Sequence, residues 1–136
     1  MFFKEDKNES SNLSKVAALL IHAAKIDENF SKNEETIIKQ TLLQMGAHNN
    51  NIEKIFLDGK KIEENSNQIL EFTKEVKNME ENDKIKIVKT LWRIIYSNKE
   101  ADIYETSLMR RLGGLLYIDS KLMGDIKEKI KKEIIK

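Results

Sequence analysis

From Leu13 onward the apolar residues return at steps of three and four. Leu13, Val16, Ala17, Leu20, Ile21 and Ala24 form one stripe, which predicts a helix opening near Ser11 or Asn12 and ending near Ile26. A second stripe, Ile37, Ile38, Thr41, Leu42 and Met45, starts after Ser31 and stops at Gly46. Ile52, Ile55 and Phe56 mark a short third helix, capped by Asn49 to Asn51 and closed by Gly59 before a polar linker over 60–67. Ile69, Leu70, Phe72 and Val76 give a fourth. Asn82 or Asp83 opens a fifth with the longest stripe, Ile85, Val88, Leu91, Trp92 and Ile95, which makes it the expected core helix. Asp102 opens a sixth, with Leu108, Met109, Leu112, Leu115 and Leu116. A seventh follows the cap at Asp119 or Ser120, with Leu122, Met123, Ile126, Ile130 and Ile134. Gly113 and Gly114 lie inside the sixth helix, where each costs about 1 kcal/mol relative to alanine, and so point to a close helix crossing. No segment alternates with a period of two. The expected fold is all-α, a single-domain bundle of six to seven helices over 12–136, preceded by a loose polar arm over 1–11 that lacks any period.

The pattern also repeats. Asp27-Glu28-Asn29-Phe30-Ser31-Lys32-Asn33-Glu34 aligns with Asn98-Lys99-Glu100-Ala101-Asp102-Ile103-Tyr104-Glu105, and Asp27 to Asn98 and Glu34 to Glu105 are each separated by 71 residues. In the same register Leu20 lies over Leu91, Ile37 over Leu108 and Ile38 over Met109. The duplicated unit is helix, acidic turn, helix.

Composition narrows the function. A chain of 136 residues can bury one core without staples, and it contains no cysteine and no proline. Thiolate nucleophiles and cysteine-bound metals are therefore excluded, and the strongest helix breaker is absent. Twenty-four basic against 23 acidic side chains leave a formal charge of +1, which argues against nucleic acid as a partner. The N-terminus lacks a signal-peptide core and no stretch approaches the roughly 20 apolar residues of a membrane helix, so a cytoplasmic protein is expected. Zincin, hydrolase-elbow, P-loop and dinucleotide motifs are all missing, which argues against an enzyme.

The acidic turns admit two readings. Ser31-x-x-Glu34 is a capping box, and Asp102-x-x-Glu105 repeats it with aspartate as the cap, each worth roughly 0.5–2 kcal/mol. Capping leaves Asp27 unexplained, because it sits at the carboxyl end of the first helix, where the dipole disfavours a negative charge. Asp27 and Glu34 have the spacing of the fifth and twelfth EF-hand positions, but Ala23, Lys25 and Glu28 occupy the places that need ligands and glycine, so an EF-hand is rejected. A smaller oxygen site remains, with Asp27, Asn29 and Glu34 as ligands to a calcium or magnesium ion. Asn98, Glu100, Asp102 and Glu105 form its counterpart, weakened by asparagine in place of the aspartate.

The run Ala17-Ala18-Leu19-Leu20-Ile21-His22-Ala23-Ala24, then Asp27, the acidic turn and Glu34, repeated after Leu91-Trp92-Arg93-Ile94-Ile95, resembles the TerB-like family, which is similar to the amino-terminal domain of the DjlA co-chaperones. The resemblance covers about Leu13 to Ile126. It implies an all-helical bundle of about seven helices with internal duplication, divalent-metal binding through the acidic turns, and association with stress-related and membrane-linked complexes rather than a defined reaction. By position it carries Asp27, Glu34 and Glu105. Glu28 and Lys99 stand where the family has glycine, and Asn98 where it has aspartate.

Elsewhere the readings are plain. His22 falls on the polar side of the first helix and His48 in a loop of asparagines, so both are expected at the surface. Trp92 reads as core. The last helix bears Lys127, Lys129, Lys131 and Lys132, broken by Glu128 and Glu133; Lys127, Lys131 and Lys132 are the candidates for docking an acidic protein partner or peripheral anionic membrane. The alternative to an ion-binding module is a metal-free adapter that docks a protein or membrane and uses its acids only as caps.

Overall fold

In the computed structural model, the backbone is described for residues 2–25, 32–65, 73–74, 76–96 and 103–135, and the side chains for 12–25, 32–65, 73–74, 76–96 and 107–133. Six helices lie among the described residues: α1 (Phe2–Ala24), α2 (Lys32–Gln44), α3 (Ile52–Asn65), α4 (Glu81–Tyr96), α5 (Ile103–Leu115) and α6 (Ser120–Ile135). No strand occurs among them, as the absence of period-two alternation requires. Most of the expected fourth helix lies outside the described residues; Thr73, Lys74 and Val76 are helical, and Val76 is buried.

Two boundaries and the place of the core differ from the apolar pattern. Helix α1 begins at Phe2, so the segment set aside as an arm has helical backbone. Once the Leu13–Ala24 stripe nucleates a helix, lysine, glutamate and other residues of fair propensity extend it without needing an apolar face. Helix α3 runs through Gly59 to Asn65 rather than ending at the glycine, and takes in much of the supposed linker. The core helix is α1, not the tryptophan helix. From Val16 to Ala24 every residue except His22 is buried, and a helix apolar on nearly all sides must be enclosed. It packs chiefly on α3, then on α4 and α2.

Gly59 explains the α1–α3 pairing. A Cβ built there would lie 2.6 Å from the Ala17 Cβ, 3.0 Å from the Ser14 carbonyl oxygen and 3.2 Å from the Ala18 amide nitrogen. Only hydrogen fits, so the glycine that resembles a helix stop is a helix-crossing point. The expected crossing at Gly113 and Gly114 does not occur. A Cβ at Gly113 would meet the flexible end of Met123 at 3.1 Å and the Ile118 carbonyl oxygen at an ordinary 3.8 Å, and Gly114 faces open space.

The duplication is visible in the backbone. Helices α2 and α5 are both 13 residues long, and their first and last residues are each 71 apart. Both end in the same Schellman cap: Ala47 donates to the Leu42 carbonyl at 3.0 Å and Gly46 to Leu43 at 3.3 Å, while Ile118 donates to Gly113 at 2.9 Å and Tyr117 to Gly114 at 3.3 Å. Gly46 (φ 121°) and Tyr117 (φ 56°) occupy the equivalent left-handed position. The register persists into the next helix, where Ile52 donates to His48 and Met123 to Asp119, both at 2.9 Å. Thus α1–α2–α3 and α4–α5–α6 are two copies of one triplet, and the two most extensive pairings, α1 with α3 and α4 with α6, are equivalent.

The copies meet where α1 lies on α4 and where α2 lies on α4. There the buried hydroxyls of Thr41 and Thr90 are 2.6 Å apart, and each also lies within hydrogen-bond distance of a carbonyl one turn back, Ile37 at 3.1 Å and Lys86 at 2.9 Å.

Candidate functional site

Of the seven residues proposed for ion binding, Asp27, Asn29, Asn98, Glu100 and Asp102 lie outside the described residues, as does the capping Ser31. Glu34 and Glu105 stand at equivalent places in the first turns of α2 and α5. Glu34 is only 1% exposed and is not without a partner, as an enclosed carboxylate requires. As a hard oxygen donor it fits a calcium or magnesium site as one ligand. Among the described residues no group of three His, Cys, Asp or Glu side chains gathers as an ion site.

Near the carboxyl end of α1, just before the first acidic turn, the structure assembles a cluster that the sequence pattern did not reveal. Lys25 Nζ donates to Glu63 Oε1 at 2.6 Å, and Glu63 Oε2 lies 3.3 Å from His22 Nδ1. The Glu63 side chain keeps 10% of its exposure, against 34% for His22 and 46% for Lys25, so a nearly enclosed carboxylate is paired with a wetter lysine and lies beside a half-buried histidine. His22 is therefore half-buried and engaged, rather than a bare surface histidine. With Ile21, Lys60 and Glu64, Lys25 and Glu63 border a pocket of about 250 Å³. A signal was present in the sequence: had α3 been continued past Gly59, the steps from Phe56 to Gly59 to Ile62 and Glu63 would have placed Glu63 on the buried face.

The lysines of α6 separate in character. Lys127 is half-buried, with Nζ 5.5 Å from the centre of the Trp92 ring, whereas Lys131 and Lys132 are exposed. Lys129 stands close enough to Lys89 of α4 that, after burial itself, the like charge lowers the Lys89 pKa. The interrupting Glu133 pairs with Arg93 of α4 at 3.4 Å. Tyr96, stacked on Trp92 at 5.8 Å between centroids, has its pKa raised by burial and by Glu128.

The family model described as tellurite resistance protein TerB matches residues 13–128. The chain belongs to the TerB family. The TerB match opens at Leu13, the first buried apolar residue of α1 among the described side chains, and closes within α6, so it takes in part or all of every helix of both triplets. No curated protein and no solved structure matches the chain. Among the described residues no helix of this TerB-family domain is long and apolar enough to cross a membrane.

Proposed function

We propose that this chain is a non-enzymatic TerB-family module whose first acidic turn holds a divalent cation, calcium or magnesium, and couples its occupancy to a protein partner in a stress-related or membrane-linked complex. Burial of Glu34 in the first turn of α2 carries the reading. Asp27, Asn29 and Glu34 would hold the ion; Asn98, Glu100, Asp102 and Glu105 form the weaker second turn, short of one charge. A bound cation supplies electrostatic cross-linking there and no bond chemistry. The turn joins α1, the enclosed spine, to α2, which meets the second triplet, so tightening it would bear on both copies.

Thermal-shift and calorimetric titration with calcium, magnesium, manganese and zinc tests this, comparing wild type with Asp27→Asn and Glu34→Gln. The wild type gains thermal stability with ion concentration, by about 2.7 kcal/mol at a hundred times the dissociation constant, and Asp27→Asn loses the response. Absence of any wild-type response at millimolar ion removes the metal reading. If Glu34→Gln still lowers the melting temperature in that case, the acids are caps and the protein is a metal-free adapter, with exposed Lys131 and Lys132 as its contact to an acidic protein or membrane surface.

A further inference from the structure

The corner enclosed by α4, α5 and α6 is open; at its counterpart in the first triplet stand the buried Leu42 and Phe56. A cleft of about 400 Å³ lies there, within the roughly 300–1,000 Å³ typical of small-molecule sites. Three of its lining residues are Gly113, Gly114 and Gly124; at the 71-residue offset these replace Leu42, Leu43 and Glu53. A Cβ at Gly114 or Gly124 would meet nothing within 4 Å, so the missing side chains leave real space.

The substitution at 124 also removes a charge partner. In the first triplet Lys39 holds Glu53 at 2.8 Å and Glu35 at 3.4 Å. Its equivalent, Arg110, lines the cleft, but the equivalents of the two acids are Gly124 and Thr106. Among the described residues Arg110 has no ion-pair partner and the cleft has no carboxylate in its lining. A second, independent vacancy concerns Trp92. This side chain is 2% exposed, borders the cleft, and has a buried indole N–H without an acceptor among the described residues. Such a donor normally finds a partner. Lys127 adds positive charge over the ring, while Met109, Ile118 and Met123 supply an apolar wall.

We propose that this cleft binds a small organic carboxylate with an apolar body, whose carboxylate takes at Arg110 the place that Glu53 takes at Lys39. The guanidinium suits a carboxylate in a forked pair, and the apolar part lies along the two methionines. The site is separate from the acidic turns and does not depend on an ion there.

Trp92 is the sole tryptophan, so its emission reports on the cleft directly. Titration with decanoate, checked by calorimetry, is expected to give a saturable change at sub-millimolar concentration, with decanol at least about tenfold weaker. Arg110→Gln weakens decanoate binding by about tenfold or more, as loss of a charged hydrogen bond predicts. Gly124→Glu is the decisive variant. It restores the internal acid of the first triplet and removes a helical glycine, so it abolishes binding while holding or raising the melting temperature. The proposal is overturned if wild type shows no saturable response up to millimolar decanoate, if decanol binds equally well, or if a folded Gly124→Glu protein binds as wild type does.

Discussion

The two triplets share a register but solve the same packing problem with different residues. In the first, α1 and α3 approach through Ser14, Ala17, Ala18 and Gly59, small enough for the backbones to touch. In the second, the equivalent positions of α4 and α6 are Ile85, Val88, Lys89 and Ile130, which must interpose side chains between the helices. The ties between the paired helices differ in the same sense: Glu63 is nearly enclosed by His22 and Lys25, whereas Arg93 and Glu133 meet in partial exposure. What is kept between copies is the hydrogen-bonded backbone frame, down to the cap after the second helix. What varies is where the volume sits, and the copy with larger crossing residues is the one with an open corner.

Substitutions that undo this contrast should follow its sign. Ile130→Ala, in the copy held apart by side chains, leaves a cavity and is expected to cost about 2–5 kcal/mol by denaturant unfolding. Gly59→Ala, in the close copy, is expected to lose about 1–3 kcal/mol, because two of the three obstructing atoms are backbone and the third is a Cβ fixed to it. Were that crossing wide, the same change would stabilise by about 1 kcal/mol through helix propensity, so the sign alone decides. At the seam, two hydroxyl hydrogens serve three short contacts, so Thr41 and Thr90 share one bond between them. Thr41→Val alone should cost about 1–2 kcal/mol, and adding Thr90→Val should recover part of it, since removing both partners leaves no orphaned hydroxyl. The caps give the next smaller difference. Gly46→Ala at φ 121° loses more than 1 kcal/mol, whereas Tyr117→Gly gains up to about 1 kcal/mol by relieving a left-handed tyrosine that is 73% exposed. Smallest is Lys129→Glu, which turns the repulsion of Lys89 into attraction and adds a few tenths of a kcal/mol, less in high salt. The wild-type sign is checkable by titration. The folded chain releases the Lys89 proton before the unfolded chain does, so this lysine makes stability rise with pH up to about 10.5, a slope that Lys129→Glu flattens.

The helical architecture was legible because its signals are local and strong. The stripes in α2, α5 and α6 named most of their described buried residues and the stripe in α4 half of them, and the 71-residue repeat anticipated matching helices. Glycine was read rightly at Gly46, a left-handed cap, and wrongly at Gly59, which is a crossing and not a stop, and at Gly113 and Gly114, which are not a crossing; only the partner helix distinguishes these roles. Reading α4 as the core came from treating α1 as one-sided, although Leu19, Ala18 and Ala23 already fill its other face. Of the candidate acidic site, Glu34 and Glu105 stand at equivalent positions of paired helices, as the repeat aligned them, and the other candidates lie outside the described residues. The Glu63 cluster, and an Arg110 without an ion-pair partner among the described residues, are tertiary facts, visible only once α3 meets α1 and the two triplets can be superposed in register.

The enclosure of α1 makes the two copies interdependent rather than modular. Its Val16–Ile21 segment is covered from three directions, by its own triplet and by α4 of the other. A polypeptide severed between Asn65 and Glu81 would therefore yield two halves, each with a bare apolar face that only the other can cover, and mixing them should regenerate a single cooperative unit through fragment complementation.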